Sequence, residues 1–399
     1  SVHAKDIGME YPMICFNGGR PEADGTYAER TKYGMIGVII HEVGHNFFPM
    51  IINSDERQWT WMDEGLNTFL QYLTEQEWER NYPSRRGPAY KIVDYMKGDK
   101  ALISPIMTNS ESIHQFGNNA YGKPATAMNI LRETIMGREL FDHAFKTYAQ
   151  RWMFKHPTPE DLFRTMEDAS GVDLDWFWRG WFYTTDHVDI SMDDIKWFKI
   201  DTRDPEKEPK EKKAIRNNER VFIGDTRNKE SIKETVNERD PKIDDFYTTY
   251  DELDATLLDE KAYNKYKQKL TPKELELIHS NYNYYEISFT NKGGLVMPII
   301  LEFTFADDSK EIVRIPAEIW KTNNEHVAKV FFFKKEVVGV YLDPFMEIAD
   351  VDVSNNSFPR RPSLSKFQVF KKKSYRWGAD AKNNPMQKAK KMEEMKKNN

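Results

Sequence analysis

The feature that most constrains the fold is the pentapeptide HEVGH at residues 41–45. It lies in a stretch, residues 27–48, whose apolar residues recur with the period of an α-helix and which ends at Pro49. Positions i and i+4 of a helix are offset by about 40°, so His41 and His45 project from one face. That geometry suits two ligands of one metal ion. Glu42 points toward the same side, where it can accept a proton from a metal-activated water.

A third ligand is expected from the carboxylates that follow, which are Asp55, Glu56, Asp63 and Glu64. Glu64 is preferred because a second helix, predicted over Asp63–Glu79, can pack antiparallel to the first and direct its initial turn at the histidines. Two His and one Glu leave a coordination position open for water, which is typical of catalytic zinc. Asn67 or Thr68, one turn further on, is predicted to accept an imidazole N–H.

Composition limits the remaining possibilities. A chain of 399 residues favours two or three domains, and a net charge of -6 argues against a nucleic-acid-binding protein. The one cysteine, Cys15, excludes an internal disulfide framework and a Cys-rich zinc module. The longest apolar runs are far shorter than the roughly 18–20 residues of a membrane-spanning helix. A bound metal must therefore use His and carboxylate ligands, and no membrane-spanning segment is expected.

The chain changes character along its length. A short extended stretch is predicted over residues 9–16, and helices are predicted at residues 27–48, 63–79, 87–96, 122–136, 138–154 and 158–169. Residues 187–200 alternate like a strand. Residues 201–280 form a charged, partly helical insertion or linker, beginning with a solvated run of mixed charge. Five strand-like runs within 281–356 predict a small β-sandwich, and 357–399 form a basic tail.

The metal-binding residues also carry a family resemblance. HEVGH, eighteen intervening residues and then Glu64 within WMDEGLNTFLQYL closely resemble the gluzincin metalloaminopeptidases of the aminopeptidase N family. In that family HExxH is followed, eighteen residues later, by a Glu at the start of a helix. The resemblance implies one Zn²⁺ per chain, bound by His41, His45 and Glu64, with Glu42 as the general base.

Two further motifs of the family can be matched. The exopeptidase motif G-x-M-E-N, whose Glu binds the free α-amino group of the substrate, reads I-G-M-E-Y at residues 7–11, so Glu10 matches while Ile7 and Tyr11 depart from it. The Y-x-K-G-A segment reads Y-G-K-P-A at residues 121–125. The resemblance therefore implies that Glu10 binds the substrate amine and that Tyr121 stabilises the oxyanion.

The resemblance covers roughly residues 5–185 and implies an α+β multidomain chain. Residues 1–186 would be a mainly helical, thermolysin-like catalytic domain, and a small antiparallel β-sandwich would follow. Family chains have further strands and an N-terminal β-domain before the exopeptidase motif, whereas nine residues precede Glu10 here. We therefore expect this chain to be the C-terminal portion of a longer protein. Whether it is active alone is left open.

The predicted function is that of a zinc-dependent aminopeptidase acting on peptide substrates. Two alternatives stay open at this stage. The departures at Ile7 and Tyr11 allow a zinc endopeptidase, and the charged insertion allows a non-catalytic peptide-binding or scaffold protein on a peptidase fold. The sequence leaves open the oligomeric state, the preferred substrate side chain and the compartment, extracytoplasmic (periplasmic or secreted) locations included.

Overall fold

The computed structural model describes residues 1–4, 8–360 and 384–397. The chain divides into two compact units, of which the larger comprises Ser1–Ile195, Ile287–Lys329 and Val337–Asn399, and the smaller comprises Lys196–Glu286 and Val330–Glu336. The structure is a mixture of helices and sheets, and pairing in its four-stranded sheet is antiparallel. No helix in the described part of the chain has the length and apolar character needed to cross a membrane.

The larger unit opens with a three-stranded sheet of order β1–β3–β2, made of Val2–His3 (β1), Gly8–Tyr11 (β2) and Ile14–Asn17 (β3). β2 runs antiparallel to β3, whereas β1 is parallel to it. The single extended stretch predicted over residues 9–16 is therefore wrong. A turn at Pro12 and Met13, the latter with a φ of 67°, splits it into two strands.

Helices follow over most of residues 18–183. They are Glu29–Gly44 (α1), Leu66–Trp78 (α2), Val93–Met96 (α3), Lys123–Ile130 (α4), Arg138–Trp152 (α5), Pro159–Ser170 (α6) and Asp175–Tyr183 (α7). Three π-helical segments adjoin them: Trp61–Gly65, Gly117–Gly122 and Leu131–Ile135. The long helix predicted over 87–96 is wrong, because α3 is only one turn. The predicted start of α6 is present as a Thr158–Asp161 capping box with Pro159 in the first turn.

Aromatic side chains form the core between these helices. Phe69 of α2 packs edge to face on Phe141 and Phe145 of α5, and Trp61 stacks on Phe163 of α6. In the aromatic cluster at residues 176–183, Phe177, Trp178, Trp181 and Phe182 are buried. Burial of this much aromatic surface fixes the helices that carry the site described below.

The remaining strands build two small sheets. Strands Ile299–Phe305 (β6), Lys310–Ile315 (β7), Val337–Leu342 (β9) and Ser357–Phe358 (β10) form an antiparallel sheet of order β10–β9–β6–β7. A three-stranded sheet has the order β4–β5–β8, made of Ile190–Lys199 (β4), Asn283–Asn291 (β5) and His326–Phe333 (β8). The strand predictions in this part of the sequence are confirmed. Packing of the sheets as a β-sandwich, and the predicted domain boundaries, stay predictions.

The smaller unit contains the charged segment. Six helices occur there, at Lys207–Asn217, Ile223–Ser231, Val236–Arg239, Phe246–Thr249, Leu257–Lys267 and Pro272–Ile278. The solvated run predicted from residue 202 is thus helical from Lys207 onward. Four of the helices begin with capping boxes, on Thr235, Asp245, Thr256 and Thr271, which favour short helices with few buried residues. The basic tail lies largely outside the described residues; its described part includes a helix, Pro385–Lys397.

One lysine of the larger unit is fully buried. Lys123 begins α4, is 1% exposed and donates from Nζ to the carbonyl of Thr184 at 3.2 Å. Burial, with a smaller contribution from the nearby Lys100, lowers the pKa of this amine from 10.5 to about 7. The unfolded chain therefore holds a proton at Lys123 between pH 7 and about 10 that the folded chain has released.

This buried amine predicts a pH-dependent stability. Because the unfolded state binds the extra proton, the contribution of Lys123 makes the folded state more stable as pH rises from 7 toward 10, and gives no dependence below that window. In Lys123→Met this contribution is lost. The melting temperature of the wild type should therefore rise relative to that of the variant between pH 7 and pH 9. Lys146→Met, at an exposed position of α5, is the control. Parallel pH profiles for wild type and Lys123→Met would contradict the prediction.

Candidate active site

The last turn of α1 and the residue after it carry the two histidines. His41 and His45 are 8% and 0% exposed, and their rings meet at a right angle with centroids 4.6 Å apart. Their Nε2 atoms are 3.1 Å from each other. The structure thus brings both imidazoles to the same side of the helix, as the i, i+4 spacing predicts.

Glu64 reaches these histidines from the π-helical turn Trp61–Gly65. The turn is held in the core by Trp61, and Gly65 allows it to lie against α4, since an added Cβ would be 2.5 Å from Cγ of Pro124. Glu64 Oε2 is 3.0 Å from His41 Nε2 and 3.4 Å from His45 Nε2. Of the four carboxylates considered from the sequence, Glu64 is the one grouped with both histidines as a set of possible metal ligands.

The three ligand atoms fit a tetrahedral zinc ion. Ligands at about 2.0–2.1 Å from such an ion are roughly 3.4 Å from one another, and the separations here are 3.0, 3.1 and 3.4 Å. The other ring nitrogens have acceptors: Nδ1 of His41 donates to Oε1 of Gln71 at 2.9 Å, and Nδ1 of His45 donates to the carbonyl of Phe48 at 2.8 Å. Each Nε2 is therefore the ring nitrogen that faces the other two ligand atoms and can bind a metal.

Gln71 was missed from the sequence, where Asn67 or Thr68 was predicted to accept the imidazole N–H. That prediction is wrong: Asn67 donates instead to the backbone carbonyl of His41 at 2.8 Å, and the hydroxyl of Thr68 has no hydrogen-bond partner in the described structure. Gln71 lies on α2, seven residues after Glu64, and a spacing of seven puts two residues on one face of a continuous helix. This spacing is the sequence feature that could have identified it. Its amide is fixed by donation from Nε2 to Glu75 at 2.8 Å.

Glu42 is buried beside the histidines without a full set of partners. It is 5% exposed, and its Oε2 accepts no hydrogen bond from any described residue. Burial raises the pKa of its carboxyl to about 7; His45 opposes this, and the negative charges of Glu10 and Glu64 add to it. Gly8 of β2 allows this close packing, because a Cβ there would be 2.6 Å from Glu42 Oε1. A carboxylate in this setting can accept a proton near neutral pH.

Tyr121 lies in the π-helical segment Gly117–Gly122. Its ring stacks on that of His41, with centroids 5.8 Å apart and planes 23° apart, and the charge of Glu64 acts on its hydroxyl. Burial and the charge of Glu64 raise the pKa of the phenol well above its usual range, so it remains a proton donor. The guanidinium of Arg86 lies over the same ring, 4.5 Å from its centroid. Nothing in the sequence around Arg86 indicated this contact.

Glu10 lies on β2 at the wall of a cavity of about 250 Å³ that also borders Asp63. One oxygen of Glu10, one of Asp63 and one ring nitrogen of His45 lie within 4.8 Å of one another. A second cavity, of about 620 Å³, begins on another side of Glu10 and is lined in part by Tyr11 and Met50. The departure at Ile7 lies outside the described residues. The other four site residues predicted from the sequence therefore all lie near the histidine pair.

The electrostatics of the centre favour a bound cation. Burial lowers the pKa of His45, but the contacts to Asp63 and Glu64 outweigh burial and raise it to about 11. Burial raises the pKa of the Asp63 carboxyl to about 7, and its contact with His45 opposes that increase. Several carboxylates enclosed together repel one another, and a metal ion or a substrate ammonium relieves that repulsion.

Two buried imidazoles, a ligand carboxylate and a second carboxylate on the intervening residue define a metallopeptidase-type centre. Residues 13–181 match the model of the peptidase family M1 domain. This part of the chain is thus similar to the peptidase family M1 domain, and the resemblance drawn from its motifs is confirmed.

Relatives with curated names include the probable aminopeptidase 1 of Sulfurisphaera tokodaii, 24% identical over 44% of this chain and 24% of its own length. The glutamyl aminopeptidase of Sus scrofa is 23% identical over 42% of this chain and 18% of its own. A crystal structure of Legionella pneumophila aminopeptidase A with aspartic acid aligns with 86% of this chain and 28% of its own, at 12% identity and a TM-score of 0.43. The chain thus spans a quarter or less of the curated relatives named here.

The hydrogen bond from His41 to Gln71 predicts an effect on metal binding. Gln71→Leu removes the acceptor of the His41 N–H and should weaken zinc affinity by about 10- to 100-fold. The measurement is a competition titration against a zinc chelator. Gln150→Leu, at an exposed site on α5, should leave the affinity unchanged. Equal affinities for wild type and Gln71→Leu would show that Gln71 does not orient His41.

Proposed function

We propose that the protein is a zinc-dependent aminopeptidase, which hydrolyses the N-terminal peptide bond of peptide substrates. The observation that carries the proposal is the approach of three ligand atoms, from His41, His45 and Glu64, to within 3.0–3.4 Å of one another beside the buried carboxylate of Glu42. The match of residues 13–181 to the peptidase family M1 domain and the names of the curated relatives support it.

The proposed metal is zinc. His41, His45 and Glu64 would hold it, because two neutral imidazoles and a carboxylate are a donor set that zinc prefers and that leaves a coordination position open. A zinc ion held there supplies Lewis-acid activation of the scissile carbonyl and of the attacking water. Gln71 and the carbonyl of Phe48 keep the two ligand imidazoles in the required tautomer.

The chain's own groups supply proton transfer and charge stabilisation. Glu42 takes a proton from the attacking water and passes it to the leaving amine, a task that suits a carboxyl whose pKa is about 7. Tyr121 donates its hydroxyl hydrogen to the oxygen that becomes negative. One such donor is typically worth about 3–4 kcal/mol of transition-state stabilisation.

Glu10 gives the reaction its exopeptidase character. Its carboxylate borders the cavity next to His45 and can pair with the α-ammonium of a substrate whose first carbonyl lies at the metal centre. The position of this carboxylate relative to the centre then limits the substrate to a single residue before the cleaved bond.

One observation favours an endopeptidase as the second candidate. Glu10 borders two cavities, and the larger one extends beyond it along Tyr11, Pro12 and Pro49. A longer peptide could run past Glu10 into that space instead of ending there. The two candidates share the metal centre and Glu42, and they differ in whether Glu10 binds a free amine.

Exchange of the proposed proton acceptor tests the chemistry. Glu42→Gln keeps the side-chain size but cannot take up a proton, so turnover of aminoacyl-nitroanilides should fall by at least about 100-fold while zinc content stays the same. Glu139→Gln, on the exposed side of α5, is the control. Wild-type turnover by Glu42→Gln would contradict the proposed role, and wild-type protein that binds zinc without any cleavage would favour the scaffold alternative.

A second substitution separates the two peptidase candidates. Glu10→Gln removes the charge that pairs with the ammonium and should lower kcat/KM on free-amine substrates by about 10-fold or more. The same substitution should change cleavage of N-acetylated peptides little. Equal losses on both kinds of substrate, or faster cleavage of the blocked peptides by the wild type, would remove the aminopeptidase assignment and favour an endopeptidase.

A further inference from the structure

Another buried carboxyl lies behind the metal centre, where α2 packs against α1. Glu75 follows Gln71 by four residues, about one helical turn, and is 4% exposed. The described structure pairs it with no lysine or arginine. Gly37 of α1 allows this packing, because a Cβ there would be 3.0 Å from Oε1 of Glu75 and 3.3 Å from Nε2 of Gln71. Burial of a carboxylate without a cation lowers the stability of the fold, so this group calls for an explanation.

Both oxygens of this carboxyl accept hydrogen bonds. Oε1 accepts from Nε2 of Gln71 at 2.8 Å, and Oε2 accepts from the hydroxyl of Ser84. Nε2 of Gln76 donates to Oγ of Ser84 at 3.0 Å, which leaves the hydroxyl hydrogen of Ser84 for Glu75. Burial raises the pKa of Glu75, and the hydrogen bonds from Ser84 and Gln71 oppose that increase. Donors at both oxygens favour the carboxylate, which accepts hydrogen bonds and donates none.

An acceptor of this kind decides how the amide of Gln71 lies. A glutamine side chain has a donor end and an acceptor end, and a half-turn about its last bond exchanges them. The NH2 group of Gln71 turns toward the carboxylate of Glu75, and Oε1 is left facing Nδ1 of His41 at 2.9 Å. The carbonyl of Gly37, 3.3 Å from the same NH2 group, supports this orientation through a longer bond.

The orientation of this amide matters for a metal ligand. An imidazole that binds a metal through Nε2 carries its hydrogen on Nδ1. His41 presents Nε2 to Glu64 and to His45, at 3.0 and 3.1 Å, so its Nδ1 is the nitrogen that needs an acceptor. With the amide reversed, Gln71 would direct an N–H at the N–H of His41. Contacts of this kind behind a ligand change metal affinity by about 10- to 100-fold.

We propose that Glu75 is a positioning residue of the metal centre, which acts through Gln71 on the ligand His41. This inference rests on the zinc site of the proposed function and adds a residue that does not itself touch the ligands. Glu75 is the acceptor at which the donors of Gln71 and Ser84 both end. A role confined to packing α2 against α1 would change the stability of the protein and leave its zinc affinity as it is.

The zinc affinity of Glu75→Gln, measured by competition with a chelator, tests the proposal. An amide at residue 75 donates as well as accepts, so it no longer holds Gln71 in one orientation. The affinity should fall about three- to tenfold, the factor for one hydrogen bond, while the carbonyl of Gly37 retains part of the effect. Glu77→Gln, the same exchange at an exposed position of α2, is the control. Wild-type affinity in Glu75→Gln would overturn the proposal.

Two double variants separate this route from a general loss of structure. In the Gln71→Leu background, Glu75→Gln should cause no further loss of zinc affinity, because the group through which it acts is gone. In Gln71→Glu/Glu75→Gln, the carboxylate itself faces His41 and receives the amide of residue 75, so the affinity should return to within about twofold of the wild type. Independent losses in the first variant, or no recovery in the second, would contradict a role through Gln71.

A spectroscopic measurement needs neither zinc nor cleavage. The side-chain NH2 signal of Gln71, identified by its loss in Gln71→Leu, should be a single sharp set of resonances in the metal-free wild type. In Glu75→Gln it should broaden or double as the amide adopts both orientations. Identical sharp signals in the two proteins overturn the inference whatever the activity of the wild type. If zinc affinity and amide signal depend on Glu75 as described but no peptide is cleaved, only the proposed function is lost.

Discussion

The site depends on how closely the last turn of α1 approaches the turn that carries Glu64. Two glycines permit that approach: a Cβ on Gly44 would lie 2.2 Å from Oδ1 of Asn67, and one on Gly65 would lie 2.5 Å from Cγ of Pro124. Asn67 then joins the two segments by donating to the carbonyl of His41. Because the gap is set by backbone and buried side chains, the 3.0–3.4 Å spacing of the ligand atoms is a property of the fold.

The same closeness concentrates negative charge in a region that excludes water. Glu42, Asp63 and Glu64 are held next to one another, and burial raises the pKa of the first two to about 7. Such an arrangement lowers the stability of the folded chain unless a cation is bound. The clustered carboxylates therefore lower the stability of the folded chain but favour binding of a metal ion and a substrate ammonium. Such a loss of folding stability is common at functional sites.

The sequence was most informative where chemistry follows from spacing along one helix. The i, i+4 histidines and Glu64, which follows after eighteen intervening residues, lie around one point, as expected because helical geometry relates position to direction. Gln71 was missed because two neighbouring polar residues, Asn67 and Thr68, seemed as well placed, and only packing decides which of them faces His41. Arg86 was missed because a contact from a loop to a ring has no periodicity to reveal it.

Two predictions of secondary structure failed for reasons that sequence patterns do not record. The helix predicted over residues 87–96 is present only as the single turn Val93–Met96. The extended stretch at the start was divided by the Pro12–Met13 turn. In each case the local conformational preferences of the backbone, and not the apolar periodicity, determined the secondary structure.

The π-helical turns explain why the active-site geometry itself was not readable. Glu64 and Tyr121 lie on two such segments, and the extra residue in each turn rotates the following side chains away from where a regular α-helix would direct them. A regular helix beginning at Asp63 was the prediction, and it puts Glu64 beside the histidines but with the wrong local backbone. Because an inserted residue costs hydrogen-bond geometry, it persists only where packing holds it, here through Trp61 stacked on Phe163 and Gly65 against Pro124. The aromatic core of the larger unit thus determines where the proposed zinc ligand and oxyanion donor point.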